Sequence, residues 1–429
     1  METRSKSPIE CVRATLARRN RAERRFRNFG RAAVLVGLAF LVLMFVNIIS
    51  TGYSAFWQTY VKLPVFFDPQ VIDPQGTGDP ETLGAADYGA LVKASVRSLF
   101  PGVKGRRDRR DVAKLVSRGT VFQLRRMTLE APLLVGSKTE LWVPANDDYD
   151  MLHKGNVDRT LPEADRRLSD KQIGWFDRLA AEGRVESRFN VTFFTAGDSR
   201  EPELAGIWGA AMGSFFTLMV TLSLSFPLGV ATAVYLEEIA PRNRLTGLIE
   251  VNINNLAAVP SIVFGLLGLA VFINLFGLPR SAPLVGGLVL TLMTLPTIII
   301  AGRAALKSVP PSIREAALGV GASKMQMIAH HVLPLAMPGM LTGAIIGMAR
   351  ALGETAPLLM IGMVAFVVDV PQGVTDAATA LPVQIFLWLD SPERAFVERA
   401  SAAIMVLLAF LIVMNAMAVV LRRRFERRW

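Results

Sequence analysis

Two ionisable residues lie within an apolar stretch of this sequence, and their spacing makes them the first candidates for chemistry. Arg350 and Glu354 interrupt an otherwise uncharged segment, Met337–Val368. Residues four apart share one face of a helix, so the two side chains can pair. If the segment crosses a bilayer, the pair lies near the midplane, where ionisable groups are costly and usually mark a substrate path. A purely structural ion pair is the alternative interpretation.

The residues around this pair favour a broken helix. Gly353 and Pro357 both weaken helical structure beside Arg350 and Glu354. Interrupted helices form the substrate sites of many transporters. An arginine at such a site offers planar, bidentate hydrogen bonding to an oxyanion, and a nearby glutamate can hold that arginine when no substrate is bound.

A second pattern lies in a polar stretch between two apolar segments. It reads Glu315-Ala316-Ala317, three residues, Gly321, nine residues, and then His331-Val332-Leu333-Pro334. The pattern predicts a short alanine-rich helix, a turn at Gly321, and a second segment that stops at Pro334. A surface of small side chains suits close docking of another protein better than catalysis. An ordinary connection between helices is the alternative.

Residues for enzymatic chemistry are not found. The chain contains no Gly-Lys dipeptide, which excludes a P-loop of the usual form. His153 lies alone, and His330 and His331 have no spaced partners for a metal site. No Ser/His/Asp arrangement is evident. The sequence therefore predicts neither a catalytic site nor a bound cofactor or metal in this chain.

The elements that must position these residues are membrane helices. Hydrophobic residues make up 52% of the 429 positions and charged residues only 19%. Long charge-free runs each approach or exceed the roughly 20 residues that cross a bilayer. With the segment that holds Arg350 they predict six spans, and the five other runs are Ala32–Ile49, Leu204–Leu236, Val251–Pro279, Ser281–Gly302 and Ala400–Leu421.

The distribution of charge predicts the orientation of these spans. The net charge of +11 resides in two tails, residues 1–31 and 422–429, and basic residues beside spans mark the cytoplasmic side. We therefore predict that both tails are cytoplasmic, with a first transmembrane helix at 32–51. A cleaved signal peptide is the alternative there, although its basic lead and apolar run would be long for one. The single cysteine, Cys11, precludes an intrachain disulfide.

A polar block, residues 52–203, separates the first two spans, and we predict an extracytoplasmic α+β domain. Its strand-like and helical patterns are short. The predicted strands are Thr120–Leu124, Glu140–Val143 and Arg188–Phe194, and the predicted helices are Tyr88–Phe100 and Lys171–Ala181. The remaining residues, 204–421, form a predicted core of five helices that contains the 303–334 loop. The fold class is thus an all-α polytopic membrane protein of six helices, with an α+β insertion between helices 1 and 2.

The 303–334 loop resembles the EAA loop of ABC importer permeases. That loop reads Glu-Ala-Ala, three residues, Gly, nine residues, Ile-x-Leu-Pro, and only His331 departs from it here. The resemblance implies a MetI-like permease fold and docking of the loop into a separate ATPase. The residues implied in that coupling are Glu315, Ala316, Ala317, Gly321, Leu333 and Pro334.

The stretch Arg350–Leu358 is similar to the signature of PstA-type permease subunits of phosphate ABC transporters. Val259–Gly265 and Leu381–Ile385 are similar to other stretches of that subunit, and the resemblance covers about Leu204–Trp429. It implies a phosphate importer permease in the bacterial inner membrane. The residues implied in the substrate pathway are Arg350, Glu354, Thr355 and Ser261. Relatives carry an Arg-x-x-Glu pair near the end of the fourth span where this chain has Ile300 and Arg303, so Arg303 is a weak candidate.

The implied partners are a second permease subunit in a heterodimer, two copies of an ABC ATPase that binds the ATP, and an extracytoplasmic phosphate-binding protein, with no nucleic acid. A permease for sulfate, molybdate or an amino acid is one alternative. A membrane-anchored sensor is another, although a sensor has no need of an ATPase-docking loop.

Overall fold

The structure is a computed structural model that describes residues 8–364 and 366–425. Residues 1–7 and 426–429, which belong to the two predicted basic tails, lie outside the described residues. The described chain divides into two compact units, one ending at Thr51 and the other beginning at Gly52.

The first unit is a long helix, α1, which runs from Pro8 to Gly52 at the unit boundary. This helix contains the predicted span Ala32–Ile49 and also includes most of the predicted N-terminal tail, residues 1–31. Most of the large apolar side chains between Val34 and Ile49 are exposed, as a lipid-facing helix requires.

The second unit begins with a small α+β domain. Its antiparallel sheet has the strand order β2-β1-β3, with β1 at Trp57–Phe66, β2 at Lys138–Pro144 and β3 at Val185–Phe189. The central strand pairs Val61 with both Val143 and Val185. The helices of this domain are α2 Pro69–Ile72, α3 Pro80–Ala85, α4 Tyr88–Leu99, α5 Arg106–Ala113, α6 Gly119–Glu130, α7 Asp147–His153, α8 Asp170–Ala181 and α9 Val191–Thr195.

Alternation along β1 supplies the core of this domain. Val61, Leu63 and Val65 are fully buried and pack in one cluster with Leu124 of α6 and Phe176 of α8. Side chains at every second position of a strand share a face, so this strand presents one apolar face to the helices. The domain holds together through this core.

The structure confirms some predicted elements of the domain and corrects others. The predicted helices Tyr88–Phe100 and Lys171–Ala181 match α4 and α8, and Glu140–Val143 lies in β2. The predicted strand Thr120–Leu124 is wrong because these residues belong to α6, and Arg188–Phe194 divides between β3 and α9. Thr120, Leu124 and Thr128 are all buried, which is a spacing of four and therefore helical.

The rest of the second unit is helical. Its elements are α10 Trp208–Val234, α11 Arg244–Ala257, α12 Ser261–Leu267, α13 Pro283–Ser308, α14 Pro311–Gly319, α15 Lys324–Gln326, α16 Leu333–Gly353, α17 Ala356–Met360, α18 Leu381–Leu389 and α19 Arg394–Phe425. Across the described residues, five helical stretches are long and apolar enough to cross a membrane, and a sixth is formed if the bent pair α11 and α12 counts as one. The chain is therefore a polytopic membrane protein.

Small residues bring α10, α13 and α16 into close contact, and we call these three helices the central bundle. A Cβ atom added at Gly229 of α10 would lie 2.6 Å from Ile298 of α13. Added at Gly339 or Gly343 of α16, it would lie 2.5 or 2.4 Å from Ala305 or Ala301 of α13. Such separations fall below van der Waals contact, so glycine is required at these crossings. Small residues at helix interfaces allow this approach in membranes.

Three predicted segments differ from the observed helices. The third predicted span, Val251–Pro279, is not one straight helix, because α11 and α12 meet at 105° where Pro260 interrupts the backbone. The prediction that a segment stops at Pro334 is wrong: α15 continues through a π-helical stretch, Met327–Val332, directly into α16. Proline is tolerated in the first turn of a helix, where its missing N–H is not needed. The predicted fifth span, Met337–Val368, contains a helix only as far as Gly353, before α17 begins.

Candidate functional site

Arg350 and Glu354 form the predicted pair at the broken end of α16. Arg350 Nε donates to Glu354 Oε1 at 3.3 Å. The helix ends at Gly353, and Glu354 has extended backbone angles, φ −79° and ψ 118°. Pro357 follows in the first turn of α17, where its fixed φ is acceptable but a continuous helix is not. The local sequence therefore ends one helix at the pair and starts another just beyond it.

The depth of this pair follows from the antiparallel contact between α16 and α13. A Cβ atom on Gly343 would approach Ala301, and one on Gly347 would lie 3.6 Å from Thr294. Arg350, one turn beyond Gly347, therefore lies about 12 Å along the helix axis from the Pro283 end of α13. For a bilayer with about 30 Å of hydrocarbon, this level is close to the midplane.

The exposure of the pair is unusual for that depth. The Arg350 side chain is 47% exposed and that of Glu354 is 19% exposed, whereas their neighbours Ala351 and Leu352 are buried in the core. The arginine therefore lies on the side of α16 that this chain leaves open. A charge is costly at this depth in lipid, so that side requires a polar pathway or another protein surface.

Two of the predicted pathway stretches meet beside the broken helix. A Cβ atom on Gly265 of α12 would lie 2.7 Å from Pro357 Cα and 2.9 Å from Met360 Cβ of α17. Ser261 is half-buried in the first turn of α12, next to the bend, and Thr355 is half-buried immediately before α17. Among the described residues, no hydrogen bond joins Ser261 to Arg350 or Glu354. The structure thus brings the two stretches together through backbone packing.

The predicted docking surface lies on α14 and the turn that follows it. Glu315 and Ala316 are exposed, while Ala317 is buried in a cluster with Ile328 and Val332. Ala317 therefore holds α14 against its own chain and does not present a surface to a partner. Gly321 is exposed with φ +90°, a conformation that favours glycine.

The end of the docking segment is partly covered. Leu333 and Pro334 are half-buried at the start of α16, and Leu333 packs against the cluster that contains Ala317. His331, the one departure from the family pattern, is exposed within the π-helical stretch. That departure therefore leaves the internal packing of the loop intact.

Sequence reasoning did not recognise the residue that ties α14 to the membrane helices. Arg314 pairs with Glu238, which follows α10, with Nη2 to Oε1 at 2.6 Å. It also donates to the carbonyl oxygens of Leu306 and Val309, at 2.9 and 2.7 Å, where α13 ends. The side chain of Glu238 is only 7% exposed. One arginine thus connects the candidate docking helix to two helices of the central bundle.

Arg303 takes part in a second network on the same side. Its Nη2 donates to Glu250 Oε1 of α11 at 2.7 Å, and its Nε lies 3.4 Å from Glu237 Oε2. Lys307 also approaches Glu237, at 3.6 Å. Arg303, the weak candidate for the substrate pathway, therefore connects α13 to α11 through ion pairs. The sequence signal for this network is the acidic pair Glu237-Glu238, which directly follows one apolar run. The basic residues Arg303 and Lys307 follow another apolar run and carry the opposite charge.

Buried charges join the α+β domain to α19. Lys154 Nζ lies 2.6 Å from Asp150 Oδ2 and 2.9 Å from Glu398 Oε1, and all three side chains are buried. Arg399 is buried within α19 and donates from Nη1 to the carbonyl oxygen of Ala205 at 2.7 Å. The domain is thus fixed to the last helix by paired charges that are protected from water.

Glu203 is the least compensated charge of this junction. It is 1% exposed, and neither carboxylate oxygen has a hydrogen-bond partner among the described residues. Burial raises the pKa of Glu203 to about 7, and the negative charge of Asp147 adds to the rise. Burial likewise raises the pKa of nearby Asp147 to about 6, with a further contribution from the charge of Asp148. Within residues 8–364 and 366–425, no group of three His, Cys, Asp or Glu side chains is placed to hold a metal ion.

Comparison with known protein families divides the chain near its middle. Residues 225–428 match the family described as "Binding-protein-dependent transport system inner membrane component". Residues 13–163 match a "Domain of unknown function". The candidate pathway and the candidate docking loop both lie within the first of these matches.

Individual relatives are similar to about half of the chain. The "Probable ABC transporter permease protein YqgI" of Bacillus subtilis is 35% identical over 188 residues, which are 44% of this chain and 63% of that protein. The "Phosphate transport system permease protein PstA 1" of Mycobacterium tuberculosis is 34% identical over 52% of this chain and 72% of its own length. Among solved structures, a chain of the MetNI methionine ABC transporter aligns with a TM-score of 0.42 and 19% identity, covering 52% of this chain and 98% of that chain.

Proposed function

Because this chain belongs to the inner membrane components of binding-protein-dependent transport systems, and within them to the PstA-type permeases, we propose that it is the permease subunit of an ATP-driven phosphate importer. It forms part of the translocation pathway and has no catalytic site of its own. ATP is bound and hydrolysed by a separate subunit.

The observation that carries this proposal is the half-exposed Arg350 at the broken end of α16. A guanidinium near the midplane, on the side of the chain that its own core leaves open, offers a planar fork to a phosphate oxyanion. Glu354, 3.3 Å away, holds that fork in position when the pathway is empty. Thr355 and Ser261 line the same pathway, at the starts of the two short helices that meet at Gly265 and Pro357.

The arrangement of α14 supports coupling to an ATPase. Glu315, Ala316 and Gly321 provide the exposed docking surface, while Ala317, Leu333 and Pro334 support it from within. A movement of α14 reaches α10 and α13 through Arg314. The exposed loop therefore acts on the same helices that place Arg350.

The proposed assembly follows from the family. In this proposal the chain has six spans, with bent α11 and α12 as the third, so both termini are on the same side of the membrane. The basic tails favour the cytoplasm for that side, which leaves residues 52–203 outside. The chain pairs with a second permease subunit, and two ATPase copies bind from the cytoplasm. A soluble phosphate-binding protein delivers the substrate from the side of the α+β domain.

Uptake of labelled phosphate by Arg350 variants tests the proposal. Arg350→Lys keeps the charge but loses bidentate geometry, so uptake should fall strongly. Arg350→Ala should be worse because it leaves Glu354 unpaired at depth. Arg280→Ala, which removes an exposed arginine before α13, is the matched control and should transport normally.

The double variant, Arg350→Ala with Glu354→Ala, separates a pathway role from a structural one. If the pair only stabilises the fold, removing both charges restores uptake, and the pathway assignment is wrong. If the pair binds substrate, the double variant inserts normally but remains inactive. Competition by unlabelled sulfate and molybdate identifies the substrate, since transport of either in preference to phosphate contradicts the proposed specificity.

A further inference from the structure

The base of the α+β domain carries a row of contacting aromatic rings. Trp57 meets Phe189 edge to face, with ring centroids 6.3 Å apart, and Phe189 stacks on Phe194 at 5.6 Å. Phe194 in turn stacks on Phe56 at 5.8 Å, and both rings contact Phe193. These five residues are called the aromatic base below.

One end of the aromatic base is buried and the other is open. Phe193 is fully buried beside Ile207, which immediately precedes α10, whereas Trp57 is 44% exposed and Phe189 is 52% exposed. Tyr53 and Val191, which lie within three residues of members of the row, are more exposed still. An apolar and aromatic surface of this kind on a soluble face normally marks an interaction site.

Backbone contacts fix the level of this surface relative to the membrane helices. The Phe193 carbonyl oxygen accepts a hydrogen bond from Ile207 N–H at 2.8 Å, and the Ala196 carbonyl oxygen accepts one from Trp208 N–H at 3.0 Å. The end of the row is therefore attached to the first residues of α10. Trp208 itself is also exposed.

A second contact places the surface at the same level on α19. A Cβ atom on Gly52 would lie 2.6 Å from Ala402 N, so the chain at Gly52 touches α19 eight residues after its start at Arg394. Eight residues of helix correspond to about 12 Å. The segment from Tyr53 to Trp57 thus begins below the outer end of α19 and rises toward the domain, across the zone where headgroups meet acyl chains.

The chemistry of the exposed residues fits that zone. Tryptophan and tyrosine are enriched at membrane interfaces because their rings are apolar and their N–H or O–H groups remain hydrated. Charge begins just above the row: Arg188, next to Phe189 in β3, lies over the rings of Tyr60 and Trp142 at 5.6 and 4.7 Å and pairs with Glu186 at 2.9 Å. The order of the apolar, aromatic and charged layers, going from the helices to the domain, matches the polarity profile of a bilayer surface.

We propose that the exposed edge of the aromatic base, together with Tyr53 and Val191, inserts into the lipid interface of the leaflet on the side of the α+β domain. The domain is then held on the membrane by lipid contact in addition to its junction with α19. This inference depends on the membrane placement of the helices and is independent of the transported substrate.

Spin labelling in lipid tests the proposal on the assembled transporter. A nitroxide is attached at Phe189→Cys or at Val191→Cys, after replacement of the native cysteine with Cys11→Ser, in phosphatidylcholine–phosphatidylglycerol vesicles. Collision with oxygen, which concentrates in the bilayer, is compared with collision with a water-soluble nickel chelate. The matched control is Phe66→Cys, an exposed phenylalanine at the far end of β1, about 30 Å from Trp57.

We expect oxygen collisions to exceed nickel collisions several-fold at 189 and 191, and the reverse at 66. If both base positions behave like position 66, the surface faces water and the proposal is wrong. If both are shielded from either reagent and strongly immobilised, a protein partner covers the surface, which also overturns lipid insertion. Val191→Cys removes no ring contact, so its result stands even if Phe189→Cys disturbs the aromatic row.

Discussion

Replacing Arg314 with alanine should detach the docking helix from the membrane helices. The substitution removes an ion pair at 2.6 Å and two hydrogen bonds to the carbonyl oxygens that end α13. It also leaves Glu238, 7% exposed, without its partner. Breaking a buried pair by removing one member costs roughly 3–5 kcal/mol, and the partial exposure of Arg314 favours the lower end. A change of about 3 kcal/mol alters the equilibrium between attached and detached α14 roughly a hundredfold.

The expected consequence is a loss of coupling. In the purified complex, Arg314→Ala should reduce phosphate uptake and the stimulation of ATP hydrolysis by the loaded binding protein, while the permease inserts at normal levels. Basal ATP hydrolysis should persist because the ATPase itself is unchanged. Uptake into proteoliposomes and phosphate release from ATP, measured on the same preparation, separate the two activities.

Two variants sharpen this test. Arg244→Ala removes an exposed arginine at the start of α11 and should leave coupling intact. Arg314→Ala combined with Glu238→Ala removes the unpaired carboxylate, so part of the protein's stability should return while coupling remains poor. Normal uptake and normal stimulation in Arg314→Ala would refute the idea that this arginine transmits the movement of α14.

Three further predictions concern topology, docking and pH. A cysteine at Leu133, an almost fully exposed leucine of the α+β domain, should react with an impermeant reagent from outside, whereas one at Val320 should react only from the cytoplasmic side. The opposite result would contradict the proposed orientation. Ala316→Trp should abolish transport because the bulky ring blocks the approach of a partner. It does not strain the backbone, whereas a substitution at Gly321, with its φ of +90°, would. Normal transport in Ala316→Trp would contradict docking at this surface. Because the pKa of Glu203 is raised to about 7, its contribution to stability is present at low pH and lost as pH rises from about 4.5 to about 7, by up to about 3 kcal/mol. The difference in melting temperature between two pH values should therefore be smaller for Glu203→Gln than for the unsubstituted protein. An unchanged difference would exclude Glu203 as the cause of the pH dependence of stability.

Much of the fold was accessible from the sequence because lipid imposes a strong composition signal. Charge-free runs located the helices that are long enough to cross a membrane, and the polar block between the first two became the α+β domain. Periodicity failed where segments were short. Thr120–Leu124 fits both an alternating and a helical pattern over five residues, and only the packing of Thr128 one turn later identifies α6.

The candidate site was predictable in its residues but not in its geometry. The spacing of Arg350 and Glu354 predicted their pairing, and Pro357 predicted a weakened helix. Gly353 and Pro357 indicated where α16 is weak, but neither the residue at which it ends nor the 105° angle at Pro260 could be predicted, since the geometry of a break depends on what packs against it. The role of Arg314 was not predicted either, because its partner Glu238 is 76 residues away in sequence.

The glycine crossings of the central bundle restrict which parts of the molecule can move. At the crossings through Gly229, Gly339 and Gly343 one helix contributes no side chain, and the facing helix contributes mainly Ile298, Ala305 or Ala301, so little side-chain rearrangement is available to accommodate sliding. We therefore expect α10, α13 and α16 to rotate as one rigid body during a transport cycle. The angular change must then be absorbed at the interrupted elements, the bend at Pro260 and the break after Gly353, which border the pathway. Opening and closing would thus be hinge motions centred beside the residues that we propose bind the substrate.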